Sequence, residues 1–216
     1  MNKYSDLIPE VKIVNKRRKK QLDTFIDKNH PGMIPYYDLL EEDMSDSKRI
    51  IKLQKLILDD ADFFDPYITL ADIYEAQGKQ EEARKLITTG FKKAMKKIVD
   101  HQGSFPKELP WGYLENRHLI RIIYQQALDC WTLGDTQAAL YLLRRLLRSN
   151  PNDNIGARND ILAIRMELGL DYLDQFITPE TLPGYIDAHL SLKWFDKHSK
   201  KFPDEFEWWR KEVEEE

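Results

Sequence analysis

The amino-acid sequence predicts an all-α protein of antiparallel helix pairs, stacked side by side and closed by a C-terminal helix. Three observations carry that expectation. Apolar and small residues recur at the three- and four-residue spacing of one helical face. The same frame returns further along the chain, as a repeat architecture requires. Glycine and proline are sparse, nine and ten in 216 residues, which is little punctuation for a strand-rich chain. With 42% hydrophobic and 32% charged residues, the composition is that of a folded domain with its own core.

In chain order, residues 1–30 read as an N-terminal arm or helix bearing a basic run, Asn15-Lys16-Arg17-Arg18-Lys19-Lys20. Helical repeats are expected over 31–176. A degenerate first pair places Tyr36, Tyr37 and Leu40 on one helix and Ile50, Leu53, Leu56 and Ile57 on the next. The next unit, 65–97, is clear. Asp65-Pro66 breaks the chain, Tyr67, Leu70, Ala71 and Tyr74 share a face, and Gly78 ends the helix. Ala83, Leu86, Ile87 and Gly90 then form the inner face of its partner.

In the unit 113–151, Ile123, Gln126, Ala127 and Cys130 stand where Tyr67, Leu70, Ala71 and Tyr74 stood. Gly134 takes the place of Gly78, Ala139 that of Ala83, and Leu143 and Leu146 those of Ile87 and Gly90, before Pro151 closes the unit. A third unit is expected to use Ile161, Leu162 and Arg165, with Gly169 as its turn and Tyr172, Leu173 and Phe176 on its second helix. Residues 177–216 supply a capping helix from about Tyr185 to Lys201, a break at Phe202-Pro203, and an acidic helical tail.

Small residues at set places, with a glycine turn between two helices, make Tyr67–Phe176 similar to tetratricopeptide (TPR) repeats. The stretch from Trp111-Gly112-Tyr113 to Ala157-Arg158 also resembles a bacterial subgroup of them. Two features depart from the pattern: Gln126 and Cys130 replace large apolar residues, and the turn glycines are 56 residues apart against a period of about 34. The resemblance implies an adaptor or scaffold that holds a peptide or partner helix on the first helices of its units. The lining positions would be Ile68, Asp72 and Glu75, then Arg121, Tyr124, Leu128 and Trp131, then Asn159, Ala163 and Met166. That surface lacks the Lys/Asn set by which some family members clamp a terminal carboxylate. The contact residues expected are Arg121, Tyr124, Leu128, Trp131 and Asn159.

Tyr124, Leu128 and Trp131 share one helical face, while Ile123, Ala127 and Cys130 occupy the packing face. The strip is therefore surplus apolar surface, to be covered by a partner or by the aromatic C-terminal segment. Arg117 and Arg158 are candidate anion contacts, because guanidinium forks hold carboxylates bidentately. A small-ligand or enzyme pocket near Arg117, Arg121 and Arg158 is one alternative, and nucleic-acid association through Lys16–Lys20 is another. The net charge of −4 disfavours the second. At the Asn150–Arg158 turn, Asp153 or Asn154 is expected to cap the next helix, and Arg158 can pair with Asp153.

The five histidines have no metal-ligand spacing. Asp60, Asp62 and Asp65 lack the glycine and glutamate of a calcium loop. No metal, cofactor or catalytic centre is expected, and Cys130 reads as a buried inert thiol. No stretch reaches the ~18 apolar residues of a membrane span, and no apolar leader stands at the N-terminus. The expectation is a cytoplasmic protein whose partner is another protein or peptide, with its oligomeric state left open.

Overall fold

The computed structural model describes residues 24–101, 103–182 and 185–214. The basic run Lys16–Lys20 lies outside them. Within these residues the chain is helical and forms no sheet, and an isolated bridge joins Thr24 to Glu108. The helices are α1 (Met33–Glu41), α2 (Asp46–Asp59), α3 (Asp65–Ala76), α4 (Gln80–Ile98), α5 (Leu114–Thr132), α6 (Thr136–Ser149) and α7 (Ala157–Arg165). A 3-10 segment (Leu170–Phe176) follows, then α8 (Ala188–His198), a short 3-10 turn, and α9 (Pro203–Glu214). Each helix from α2 to α8 packs on the element before it, and α3 also touches α5.

Local chemistry explains the boundaries. Pro66 sits in the first turn of α3, where its missing N–H costs nothing. Asp135 caps α6 by accepting the Ala138 N–H at 3.1 Å, and Asp187 caps α8. Gly78 and Gly134 take φ of +77° and +81°, the left-handed conformation that lets two backbone N–H groups turn back onto the last carbonyls. Gly78 N–H donates to the Glu75 carbonyl and Lys79 N–H to that of Tyr74. Gly134 and Asp135 donate in the same way to Trp131 and Cys130.

A third such turn exists two residues before the expected one. Glu167 N–H donates to Ile164 and Leu168 N–H to Ala163, with Glu167 at φ +59°. Gly169 is extended. The true frame therefore puts Asp160 where Ala71 and Ala127 stand, and Tyr172 where Ala83 and Ala139 stand. All four alanines are buried, as close helix contacts need. In the third pair the same slot holds a carboxylate facing a phenol, and the second element is a 3-10 segment rather than an α-helix.

Tyr36, Tyr37 and Leu40 lie on one helix, α1, as expected; the face it buries is Tyr36 and Leu39, while Tyr37 and Leu40 are about 40% exposed. The C-terminal helix starts at Ala188, after the Asp187 cap, and Tyr185 lies outside it. One continuous core runs from Phe64 to Phe206, and a smaller cluster of Tyr36, Leu39, Leu53, Phe63 and Leu70 fills the space under α1 and α2. Ile87, Leu143 and Phe176 fall nine residues after the three turns and are all buried, each contributing about 1.5–3 kcal/mol.

Candidate functional site

The strip on α5 faces α7 and the 3-10 segment, and the chain itself covers it. Trp131 is 6% exposed and lies 6.0 Å from the ring of Tyr172, which in turn packs on Phe176 and Trp194. Leu128 is half-buried against the same core. The Tyr124 hydroxyl donates to Asp160 Oδ2 at 2.7 Å, and the Tyr172 hydroxyl donates to Oδ1 at 2.8 Å. Burial pushes the Asp160 carboxyl up to about 6, against the pull of both phenols. Burial and the adjacent carboxylate push both phenols far above the ordinary tyrosine range.

Asn159 donates to Ser191 Oγ at 3.0 Å and so ties α7 to α8. Arg158 is occupied as well. Its guanidinium and its backbone N–H both reach Asp153 Oδ2, and its plane lies over Phe195 and Trp209. Trp209 donates its indole N–H to the Pro151 carbonyl at 2.7 Å, so α9 seals this turn. Cys130 is buried, its thiol pushed up by burial, and Gln126 contacts its sulfur.

A second constellation had no sequence signal. Asp27, His30 and His118 meet in the interior, with ligand-type atoms within 4.8 Å of one another. Asp27 Oδ2 is reached by Lys97 Nζ at 2.7 Å, His30 Nε2 at 3.1 Å and His118 Nε2 at 3.2 Å. His30 Nδ1 lies 3.0 Å from Asp60. Burial alone would raise the Asp27 carboxyl, yet these donors hold it far below the carboxylate range. His30 has a carboxylate on each ring nitrogen, so Asp27 and Asp60 push its pKa up against burial and the Lys97 charge. Burial pushes His118 down, more strongly than Asp27 pulls it up.

These residues do not fit a metal ion. A histidine that binds a metal through Nε2 carries its proton on Nδ1 and donates it to a neighbour. His30 can do so toward Asp60. His118 cannot, because its Nδ1 accepts the Phe64 N–H at 3.1 Å, which leaves the ring proton on Nε2. Lys97 already neutralises Asp27. The centre is a proton and charge network, and it straps residues 24–30 onto the end of α2, onto α4 and onto α5. Buried Asn116 reinforces the strap by accepting the Asp27 N–H and donating to the Phe25 carbonyl.

The remaining polar cluster reaches the surface. Arg117 and Arg121 lie over the ring of Trp111 at 5.1 and 5.6 Å. Arg121 pairs with Asp65 at 3.2 Å and donates to the Tyr37 hydroxyl at 3.3 Å, joining α5 to α3 and α1. Burial pushes Asp65 up to about 6, and Arg121 opposes the rise. Arg117 Nε donates to the Trp111 carbonyl. Its two terminal nitrogens meet no carboxylate among the described residues. Tyr37 is exposed, as are Tyr113 and Leu114 beside Trp111.

Of the residues expected from sequence, the fold thus gathers Arg117 and Arg121 at one open patch. It spends Tyr124, Trp131, Asn159 and Arg158 on internal contacts. Trp111 carries no sequence signal as a contact, because its role depends on Arg117 and Arg121, six and ten residues further on and one turn apart on α5. No helix among the described residues is long and apolar enough to cross a membrane. No protein-family model, no curated protein and no solved structure matches the chain.

Proposed function

We propose that this chain is a protein-binding module, an adaptor or scaffold built as a TPR-like stack of helix pairs and capped at its C-terminal end by α8 and α9. Its contact surface is the patch of Tyr37, Trp111, Arg117 and Arg121. The observation that supports this reading is the guanidinium of Arg117, placed over the ring of Trp111 with no carboxylate partner among the described residues and with exposed aromatic side chains beside it. Tryptophan, tyrosine and arginine are the residues that most often dominate binding energy at protein interfaces. A stacked guanidinium is already oriented, so little side-chain freedom is lost when it takes up a carboxylate. The partner is a protein or peptide that presents an acidic side chain next to an apolar one. The lone buried thiol suits a reducing compartment such as the cytoplasm.

The test compares the wild type with Arg117→Glu and Trp111→Ala in co-precipitation from the source cell, with thermal melts in parallel. A true partner is lost roughly tenfold or more with both variants while the melts stay close to wild type, because central anchors carry about 2 kcal/mol or more. Trp131→Ala serves as the contrast, since it should lower stability first. Equal capture by all three chains would overturn the assignment of the patch.

A further inference from the structure

We propose that the outer face of the α1–α2 hairpin is a self-association surface, where a second copy of this chain docks about a two-fold axis. The other end of the helix stack is sealed by α8 and α9, through the Arg144–Glu205 and Arg165–Glu205 pairs and the Trp209 hydrogen bond. Nothing among the described residues covers the outer side of α1 and α2. A groove of about 540 Å³ runs between them, with Pro35, Leu39 and Leu56 in its walls. Beside it stand Ile34, Ile51 and Leu58, exposed by 73%, 67% and 82%. Ile34 is four residues before Asp38 on its ridge. Ile51 and Leu58 flank Lys55 on theirs. Large apolar side chains grouped in this way at the end of a stack mark a contact surface.

Charge identifies the occupant. From Met33 to Asp43 the first helix and its exit carry Asp38, Glu41, Glu42 and Asp43 and no cation. The second helix carries Lys48, Arg49, Lys52 and Lys55 between Asp46 and Asp59 at its two ends, so its middle turns are basic. Lys52 pairs with Glu42 inside the hairpin, and Arg49 donates to the Glu42 carbonyl. Asp38 and Lys55 face each other from opposite walls of the groove, and neither has an ion-pair partner among the described residues. A surface with an acidic half and a basic half is complementary to itself under a two-fold rotation, which is what an isologous dimer requires.

The register also fits. The Glu42–Lys52 contact sets the height of one helix against the other. From there Asp38 lies four residues back and Lys55 three residues on, about 6 and 4.5 Å of helix rise, and Ile34 and Leu58 follow at about 12 and 9 Å, so each pair lies within about 3 Å of the same height. A two-fold axis parallel to the helices lays α1 of one copy over α2 of its partner without changing these heights. Asp38 then meets Lys55 of the second copy, and Ile34 meets its Leu58, twice in each dimer. Tyr37 on α1 borders this surface, but Trp111, Arg117 and Arg121 lie outside it, and the proposal does not depend on the partner-binding reading.

The experiment is the mass of the full chain in solution, by sedimentation velocity or light scattering across micromolar concentrations. The expected result is a concentration-dependent rise from 25.6 kDa toward twice that mass. Ile51→Glu with Leu58→Glu should hold the chain at the single mass without altering its helical spectrum. Asp38→Lys alone and Lys55→Glu alone should each weaken self-association roughly tenfold or more, since like charges then meet at both contacts. Mixing those two variants should restore a dimer containing one of each, because both contacts are then again of opposite sign. A chain that stays at 25.6 kDa throughout, a dimer that survives Ile51→Glu with Leu58→Glu, or a mixture that fails to pair would each overturn the proposal.

Discussion

At the scale of single residues, Asp160 shows how one slot is reused. Ala71 and Ala127 let their helix pairs close because they are small. Asp160 stands at the same distance before its turn and is just as buried, so its charge needs partners. Tyr124 from α5 and Tyr172 from the 3-10 segment provide one hydrogen bond to each oxygen. Removing one donor leaves an acceptor buried and unsatisfied. Tyr172→Phe should therefore cost about 1–3 kcal/mol in a urea melt and push the Asp160 carboxyl further up, visible as a later titration of its side-chain carbon by NMR. A melt unchanged from wild type would mean that the phenol does no more than fill space. The tyrosine pair was legible in the sequence only as apolar bulk, because periodicity does not report which polar atoms meet.

At the scale of elements, the three turns after α3, α5 and α7 have one hydrogen-bond pattern, and only two of them have glycine. Glu167 holds a left-handed backbone that its side chain makes costly. Glu167→Gly should therefore stabilise the protein by about 0.5–1 kcal/mol, and Gly134→Ala should destabilise it by about 1 kcal/mol. Opposite shifts in thermal midpoint would check both, and a loss on Glu167→Gly would mean that the glutamate side chain has a compensating contact. Gly78 and Gly134 were readable as turns because glycine is the usual residue there. The third turn was misplaced onto Gly169 because the sequence offered a nearby glycine, and nothing local marks a glutamate as left-handed.

At the scale of the whole molecule, the Asp27 centre joins a segment with no helix of its own to three helices far away in sequence. Its pH dependence follows from two histidines shifted in opposite directions. His30 has its pKa raised above the ordinary 6.5, so its contribution is complete below that value and is lost as pH rises through the raised one. His118 has its pKa lowered, so its contribution is complete above 6.5 and is lost as pH falls through the lowered one. The strap should be tightest between the two. Hydrogen exchange at the Phe25 and Asp27 amides should be slowest in that window and speed up on both sides. Asp27→Asn should flatten the profile and cost about 3–5 kcal/mol, because Lys97 is left without its counter-charge. Exchange that rises steadily with pH, with no minimum beyond the intrinsic one, would remove the histidines from the strap.

By itself, the sequence determined the helical class, the helix pairs at 65–97 and 113–151, their glycine turns and the buried alanines Ala71, Ala83, Ala127 and Ala139. All of these follow from spacings within one helix or across one tight turn, where geometry is set by neighbours in the chain. Tertiary structure decided what covers each face. Periodicity marks Tyr124, Leu128 and Trp131 as a surface in need of cover, but the cover includes Tyr172, placed there by a turn two residues from Gly169. The meeting of His30 with His118, and of Arg121 with Trp111 and Tyr37, is likewise absent from any spacing. Contacts of that kind depend on how several helices stack at once, and each is selected by competition for a limited buried surface, which no single segment encodes.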